Sequence, residues 1–371
     1  MSSLADDVRI ALLGPIPTLL RALQCDPAEA LDGTGFDLAL FEQPETRVSY
    51  LQAARMLVAC AEASRTPHFG LLLGQFFELS MLGPLETLMR NSTTVRESLQ
   101  QLARHLHLHD RGAVAFLAER GDGEIAFGYN VFDSTVPGAV HIYGIVLASI
   151  CGMLRELCGP SWQPLRIMFA HGLPADIGPY QLFYRAPMYF NAAHSEVVFA
   201  GHWLDWPLHD VDSSRLITAE RNALAAERYN DSHFVGRVRR TIYALLMTGK
   251  VTTPLICKRL GIHERVLRRH LHAEGATIKQ LTGWARHEIA CQLLGNTCLS
   301  IASIAQTLGY SDVTAFSRAF RIHAGMPPKT WRGRAGNRFT DLRPSAVRKP
   351  VGTSPDSVRG RRGTAGRTPE S

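Results

Sequence analysis

Residues 309–325 read GYSDVTAFSRAFRIHAG. Between the two outer glycines lies about one helix of chain, and on a helix Phe316 and Phe320, four residues apart, share a side. Ser311, Thr314, Ser317 and Arg318 are left for another. A helix that hides two aromatic rings and offers hydroxyls and a guanidinium presents a polar surface for a partner to meet.

A second copy lies upstream. In RLGIHERVLRRHLHAEG (259–275), Leu260-Gly261-Ile262 matches Leu308-Gly309-Tyr310 at an offset of 48. Leu267, Arg269 and Leu271 match Phe316, Arg318 and Phe320 at 49, so one inserted residue separates the two registers. Each Leu-Gly pair follows a short helical run: Thr253-Pro254 supplies an N-cap and a first-turn proline for LICKRL, and Ser300 caps IASIAQTL. Each copy is therefore helix, glycine turn, helix, over 253–273 and 301–323. Ile256, Leu260, Leu267 and Leu271 join one pair of helices, and Ile304, Leu308, Phe316 and Phe320 the other. Between the copies TIKQLTGWARHEIACQLLGN (277–296) reads as a continuous helix despite Gly283. About 18 residues at ~1.5 Å each make a rod of about 27 Å, close to the roughly 34 Å that brings successive major grooves onto one face of DNA. The pattern predicts an all-α domain with two helix-turn-helix motifs joined by a linker helix, able to read two grooves from one monomer.

Charge supports a polyanionic partner. The 371 residues carry +7 overall, but residues 1–231 hold 16 Arg, no Lys and 26 acids, a net of −10. Residues 232–334 hold 16 basic and 4 acidic residues, a net of +12, and residues 335–371 hold 8 and 3, a net of +5. Cations set against phosphates release condensed counterions, which favours a polyanion such as nucleic acid; a membrane surface uses the same charge. Insertion into a bilayer is not expected, because the longest apolar run, near YGIVLASICGML (143–154), is too short to span and suits a buried helix. The N-terminus, MSSLADDVRIALLGPIP, has acids where a secretory leader has cations, so a cytoplasmic protein is expected. The seven cysteines include no C-x-x-C pair and read as small buried side chains, with a redox-sensing thiol as the alternative.

The first 230 residues read as a separate α+β domain. Up to about residue 110 the apolar spacing is helical, with Thr94 and Glu97 forming a capping box. AVAFLAER and EIAFGYNVF flank the turn residues Gly121-Asp122-Gly123 as a hairpin. A buried helix (138–158), a strand (165–170), a short helix near 176–184 and a strand (196–200) follow. A connecting helix within 213–231, opened by Ser213 or Ser214, leads to NDSH (230–233), where the charge changes sign and the domain boundary is set. The expected organisation is thus an α+β domain over 1–212, a connector over 213–231, the two-motif domain over 232–334, and a disordered basic tail over 335–371.

The motif G-Y-S-D-x-x-x-F-S-R-x-F from Gly309 to Phe320, followed by G-M-x-P-K-T-W-R from Gly325 to Arg332, closely resembles the DNA-binding domain of the AraC/XylS family of bacterial transcription regulators. The stretch FGLLLGQFFELSMLGPLETLMRNSTTVRESLQQLARHLHLHD resembles the arabinose-binding-type sensor domain found in one branch of that family. The resemblance implies a non-enzymatic regulator of a promoter, more often an activator, with a small-molecule effector, contact with RNA polymerase, a possible homodimer and no cofactor. It places base reading on Arg265, Arg268 and Arg269 of the first recognition helix and on Val313, Thr314, Ser317 and Arg318 of the second. Lys329 and Arg332 are expected to hold phosphate, which positions without specifying. Two positions depart from the family pattern: Pro327 replaces a usual Ser or Thr, and His263 replaces a good N-cap, leaving the first recognition helix less firmly capped.

Other features have competing readings. His105, His107 and His109 could ligate a metal only in part on a helix, since His105 and His109 alone would share a face; capping or surface roles are the ordinary alternative, and no metal is assigned. Tyr180, Tyr184 and Trp203, with Phe183, Tyr189 and Trp206, either line an effector pocket or pack a core. The acidic, lysine-free domain suits an apolar, neutral or cationic effector better than a multiply charged anion. An enzyme with a DNA-binding appendage would need a nucleophile elbow, phosphate loop, zinc pattern or paired acids, none of which the sequence carries. An effector-independent architectural DNA-binding protein is the remaining alternative.

Overall fold

The computed structural model describes residues 6–208, 212–229, 234–249 and 251–339. The N-terminal domain begins with a short antiparallel ribbon, β1 (Asp7–Arg9) against β2 (Arg47–Ser49), with Val8 opposite Val48. This ribbon was not expected, since three-residue strands show no period in sequence. Around it lie α1 (Ile16–Ala22), α2 (Pro27–Leu31), α3 (Tyr50–Ala63), α4 (Phe69–Gly74), α5 (Pro84–Arg90) and α6 (Val95–His105). At the start of α6 the Thr94 hydroxyl accepts from Glu97 N at 3.3 Å, as the capping box requires. The returning Glu97 carboxylate accepts from Thr93 N, one residue further out, at 2.7 Å.

A five-stranded sheet completes the domain. It consists of β3 (Ala113–Gly121), β4 (Glu124–Val131), β5 (Arg166–Phe169), β6 (Met188–Phe190) and β7 (Ser195–Ala200), in the order β3-β4-β7-β5-β6. β5 and β6 are parallel and the other neighbours antiparallel. The β3–β4 hairpin turns through Asp122 and Gly123, both at positive φ. Between β4 and β5 runs α7 (Ala139–Cys158); α8 (Gly178–Tyr184) lies between β5 and β6, and α9 (Ser213–Tyr229) follows. The last is capped by Asp212, whose carboxylate accepts from Ser214 N at 2.9 Å, rather than by a serine. At 20 residues α7 is longer than its most apolar stretch suggested and passes the length and composition test for a membrane span, yet most of it is buried inside the domain. Its Gly144 approaches Gly70 of α4 so closely that a Cβ on Gly70 would lie 2.1 Å from the His141 carbonyl oxygen.

Both faces of the hairpin are covered. Side chains alternate across a strand, so Ala113 and Ala115 of β3 and Ile125, Phe127 and Tyr129 of β4 belong to the N-terminal core with α7. Val114, Phe116 and Ala118 point the other way, into the core of the C-terminal domain. Gly128, opposite Phe116, leaves space for that ring: a Cβ there would lie 2.3 Å from the Phe116 Cζ.

The C-terminal domain is all-α: α10 (Phe234–Met247), α11 (Thr253–Leu260), α12 (Glu264–Ala273), α13 (Ile278–Asn296), α14 (Ile301–Thr307), α15 (Val313–Ala324) and α16 (Pro328–Phe339). α13 is the continuous linker, opened by Thr277, and it packs against α10, α14, α15 and α16. Ser300 caps α14 as expected, accepting from Ser303 N at 3.0 Å. On α11 the cap is Thr252, which accepts from Leu255 N; Thr253 and Pro254 occupy the first helical turn instead. α16 extends to Phe339, so the first five residues assigned to a disordered tail are helical. The boundary at 230–233 and residues 340–371 lie outside the described residues.

Candidate nucleic-acid interface and sensor cavity

Each helix-turn-helix pair is closed by a glycine in the left-handed region, Gly261 at φ 65° and Gly309 at φ 71°, where a side chain would be strained. In the first pair Leu267 and Leu271 of α12 are buried with Ile256 of α11. Arg265, Arg268 and Arg269 are exposed. Arg268 is tied to Glu264 one turn back, with Nη2 2.6 Å from the carboxylate, whereas Arg265 and Arg269 make no hydrogen bond among the described residues. His263 sits at the N-cap with extended backbone but gives no side-chain bond, so the first recognition helix is uncapped, as its sequence suggested.

The second pair is better anchored. Asp312 caps α15 by accepting from Ala315 N at 2.7 Å, and that backbone bond holds its carboxyl below the usual carboxylate range. Phe316 and Phe320 are buried; Val313, Thr314 and Arg318 are exposed and Ser317 is half-buried. Arg286 of α13 lies over the Tyr310 ring, 5.0 Å from its centroid, bracing the turn that precedes α15. Further along, Gly283 lets α15 come close: a Cβ there would lie 3.2 Å from His323 Nε2. The sequence treated this glycine only as a tolerated helix weakness.

Lys329 is exposed. Arg332 is half-buried, and its Nη2 donates to the Leu299 carbonyl at 2.6 Å, tying α16 to the segment before α14. Part of the guanidinium assigned to phosphate is thus used within the domain.

The N-terminal domain holds a cavity of about 110 Å³. Its wall is mostly aliphatic and aromatic, drawn from α3, α7, β3 and β4, with a polar corner at His109, Asp110, Tyr50 and Tyr129 and a single hydroxyl, Ser149, on α7. The Tyr129 hydroxyl donates to Asp110 Oδ2, Gly112 N donates to Asp110 Oδ1 at 2.7 Å, and the Tyr50 and Tyr129 hydroxyls are 2.9 Å apart. Burial pushes the Asp110 carboxyl up to about 7 and the His109 imidazole down to about 3. Tyr180, Tyr184 and Trp203 do not line this cavity. The two tyrosines pack around Phe169 in the core, and Trp203 lies against Trp206.

The three histidines also differ from their expected surface or capping roles. α6 ends at His105, so His107 and His109 lie beyond it, and all three are buried. No group of three metal-ligating side chains occurs among the described residues.

The two domains meet along α10 and α13. Arg239 of α10 donates to Asp6 at 3.2 Å and lies over the Phe132 ring at 4.5 Å. Phe132 also meets Tyr243 edge-on, with centroids 4.6 Å apart. From α13, Glu288 accepts from Ser134 N at 3.0 Å, and Gln292 bonds Asn130 and the Val131 carbonyl. Beyond its end, Cys298 N donates to Asn191 at 2.8 Å.

Comparison with known proteins finds matches for both halves of the chain. Residues 25–208 match the family model described as the arabinose-binding domain of AraC transcription regulator, N-term, and residues 256–334 match a helix-turn-helix domain model. The chain is 28% identical to the HTH-type transcriptional regulator VirS of Mycobacterium tuberculosis over 339 residues, covering 89% of this chain and 97% of VirS. It is 25% identical to the ornithine utilization regulator of Pseudomonas aeruginosa over 308 residues, covering 79% and 86%. The solved structure of the transcriptional regulator CdpR from Pseudomonas aeruginosa aligns with a TM-score of 0.43 at 21% identity, over 87% of this chain and 98% of CdpR. With a sensor-type α+β domain docked on a paired helix-turn-helix domain, and both halves matched, the chain belongs to the AraC/XylS family of DNA-binding transcription regulators.

Proposed function

We propose that this regulator reads two neighbouring major-groove segments of a promoter with α12 and α15, and that a small molecule in the N-terminal cavity controls the reading. The observation that carries it is the position of α13, which packs against α14, α15 and α16 and is also held by Asn130 and Val131 of the N-terminal domain. Arg265, Arg269, Thr314 and Arg318 contact bases, Arg268 is drawn from Glu264 to DNA, and Lys329 and Arg332 meet phosphate. The ligand shifts an equilibrium between domain arrangements by binding one better than the other. Dimerisation through the N-terminal domain and contact with RNA polymerase complete the reading, with activation as its outcome.

The test is competition between a cognate duplex, selected from random sequence, and random DNA. Specific binding at least about 10³-fold tighter than random at physiological salt is expected. Equal affinity for both, with a steep salt dependence, would make the protein an architectural binder instead.

A further inference from the structure

The geometry points to a small apolar amine as the occupant of the cavity, its protonated nitrogen seated on the Asp110 carboxylate and its hydrocarbon body among the α3 and α7 side chains. This rests on the effector reading and names the chemistry of that effector.

Size sets the first limit. The cavity, about 110 Å³, is comparable with the roughly 150 Å³ apolar void that accepts benzene. A single ring or a short chain of about six carbons fits that scale, whereas a sugar or nucleotide would bring many hydroxyls against a wall such as Leu57, Leu102, Ile142, Ile145, Ile150 and Met153 with no partners for them.

The proton inventory at the polar corner sets the second. Tyr129 spends its only proton on Asp110, and Tyr50, bonded to the Tyr129 hydroxyl, spends its own there. Gly112 N occupies one further acceptor site on the carboxylate. On the Asp110 carboxylate and the Tyr50 oxygen, what remains unfilled is acceptor capacity. Once ionised, this acid takes a donor with several N–H bonds and repels a carboxylate. The Ser149 hydroxyl and both His109 ring nitrogens, buried in residues that line the same cavity, also lack partners among the described residues.

The surrounding charges do not already fill the role. Arg47, which faces Asp110, is committed to Asp7 and to the Leu108 and His109 carbonyls. Asp6, the other charged group acting on Asp110, bonds Arg239 from the C-terminal domain and adds negative potential. Arg9, which acts on His109, is paired with Glu45 and bonds the Met81 carbonyl. Burial raises Tyr129 and Tyr50 well above the usual phenol range, so they stay neutral. His109, depressed by burial, is neutral as well. An ammonium entering this corner would draw Asp110 into its charged form and release a proton.

The experiment uses the full-length protein with benzylamine, benzyl alcohol, benzoate and toluene, followed by calorimetry. Benzylamine is expected to bind at least tenfold more tightly than benzyl alcohol, and benzoate more weakly than either. At pH 6 benzylamine binding should release close to one proton per ligand, seen as a heat that changes with buffer ionisation enthalpy, while toluene releases none. Asp110→Asn should weaken benzylamine tenfold or more and leave toluene unchanged. If that variant fails to fold, the proton release of the unaltered protein decides. Benzoate binding as tightly as benzylamine, the absence of proton release, or no binding of any of the four at millimolar concentration would overturn the proposal. Benzylamine that binds through Asp110 without altering DNA affinity would leave the site standing and sink effector control instead.

Discussion

Gln292 of the linker helix donates from Nε2 to the Val131 carbonyl at 2.6 Å, and its Oε1 accepts from Asn130 Nδ2 at 3.2 Å. Val131 and Asn130 directly follow Tyr129, which bonds Asp110 in the cavity. One strand therefore has its cavity residue and its docking residues in consecutive positions, with the Asn130 side chain on the face opposite Tyr129 and Val131 docking through its backbone carbonyl.

Gln292→Leu should loosen the docking of the two domains, because it leaves the Val131 carbonyl without its partner at a cost of about 1–3 kcal/mol. Small-angle scattering is expected to report a larger radius of gyration, and DNA affinity should lose its response to cavity ligands while specific binding persists. An unchanged radius and an intact response would show that this contact does not couple the domains.

Arg318→Ala should cost about 1–3 kcal/mol at a cognate site and relax the preference at one base position. Arg332→Ala is expected to lower the melting temperature as well, since its guanidinium ties α16 to the Leu299 carbonyl. If Arg318→Ala weakens random and cognate duplexes equally, Arg318 is a phosphate contact.

The two recognition helices differ at their caps, and the difference is measurable. Asp312→Ala removes the bond to Ala315 N and should destabilise the C-terminal domain by about 0.5–2 kcal/mol. His263→Ser should do the reverse by up to about 1 kcal/mol, because α12 has no side-chain cap to lose. Denaturant melts of the two variants, moving in opposite directions, would bear this out; two losses would mean that His263 has another role.

Acid should destabilise the fold. Burial depresses His141, His171, His194 and His287 to about 4 and His109 to about 3, so each takes up a proton more readily when unfolded, near pH 6.5. Their contribution is fully present above pH 6.5 and is lost as pH falls towards 4. Asp110 has the opposite sign: its raised folded value favours the native state at low pH and loses that contribution as pH rises through about 7. Five histidines outweigh Asp110 and Asp6, whose carboxyl burial also raises, so the melting temperature should drop by about 5 °C or more between pH 7.5 and 5.5. A flat profile over that range would mean that these imidazoles are protonated in the native protein.

Much of the C-terminal half was legible in the chain. The repeated Leu-Gly, the apolar pairs Leu267/Leu271 and Phe316/Phe320 and the cap at Ser300 act within a few residues of one another, so local spacing carries them. The errors have the same origin in reverse. Thr252 and Thr253 are adjacent and equally suited to capping, and only the backbone at Thr252, extended with φ −133° and ψ 150°, separates them. Tyr180 and Tyr184 were legible as buried rings, but whether such rings face a void or other rings depends on Phe169 and Phe190, which other strands supply. Arg332 looked like a free cation until the Leu299 carbonyl, 33 positions away, was brought to it.

The two helix-turn-helix units, the rod between them and the charge division could be read from the chain, because they are written in short-range periodicity or in composition, and the family resemblance because its motif is a contiguous run of residues from Gly309 to Arg332. Tertiary structure alone decided that His109, Asp110, Tyr50 and Tyr129 converge on one cavity and that the same β3–β4 hairpin carries the DNA-binding domain on its other face. The reason is physical: alternation along a strand shows that it has two faces, but what covers each face is settled by segments far away in the chain, here α7 on one side and α10 on the other.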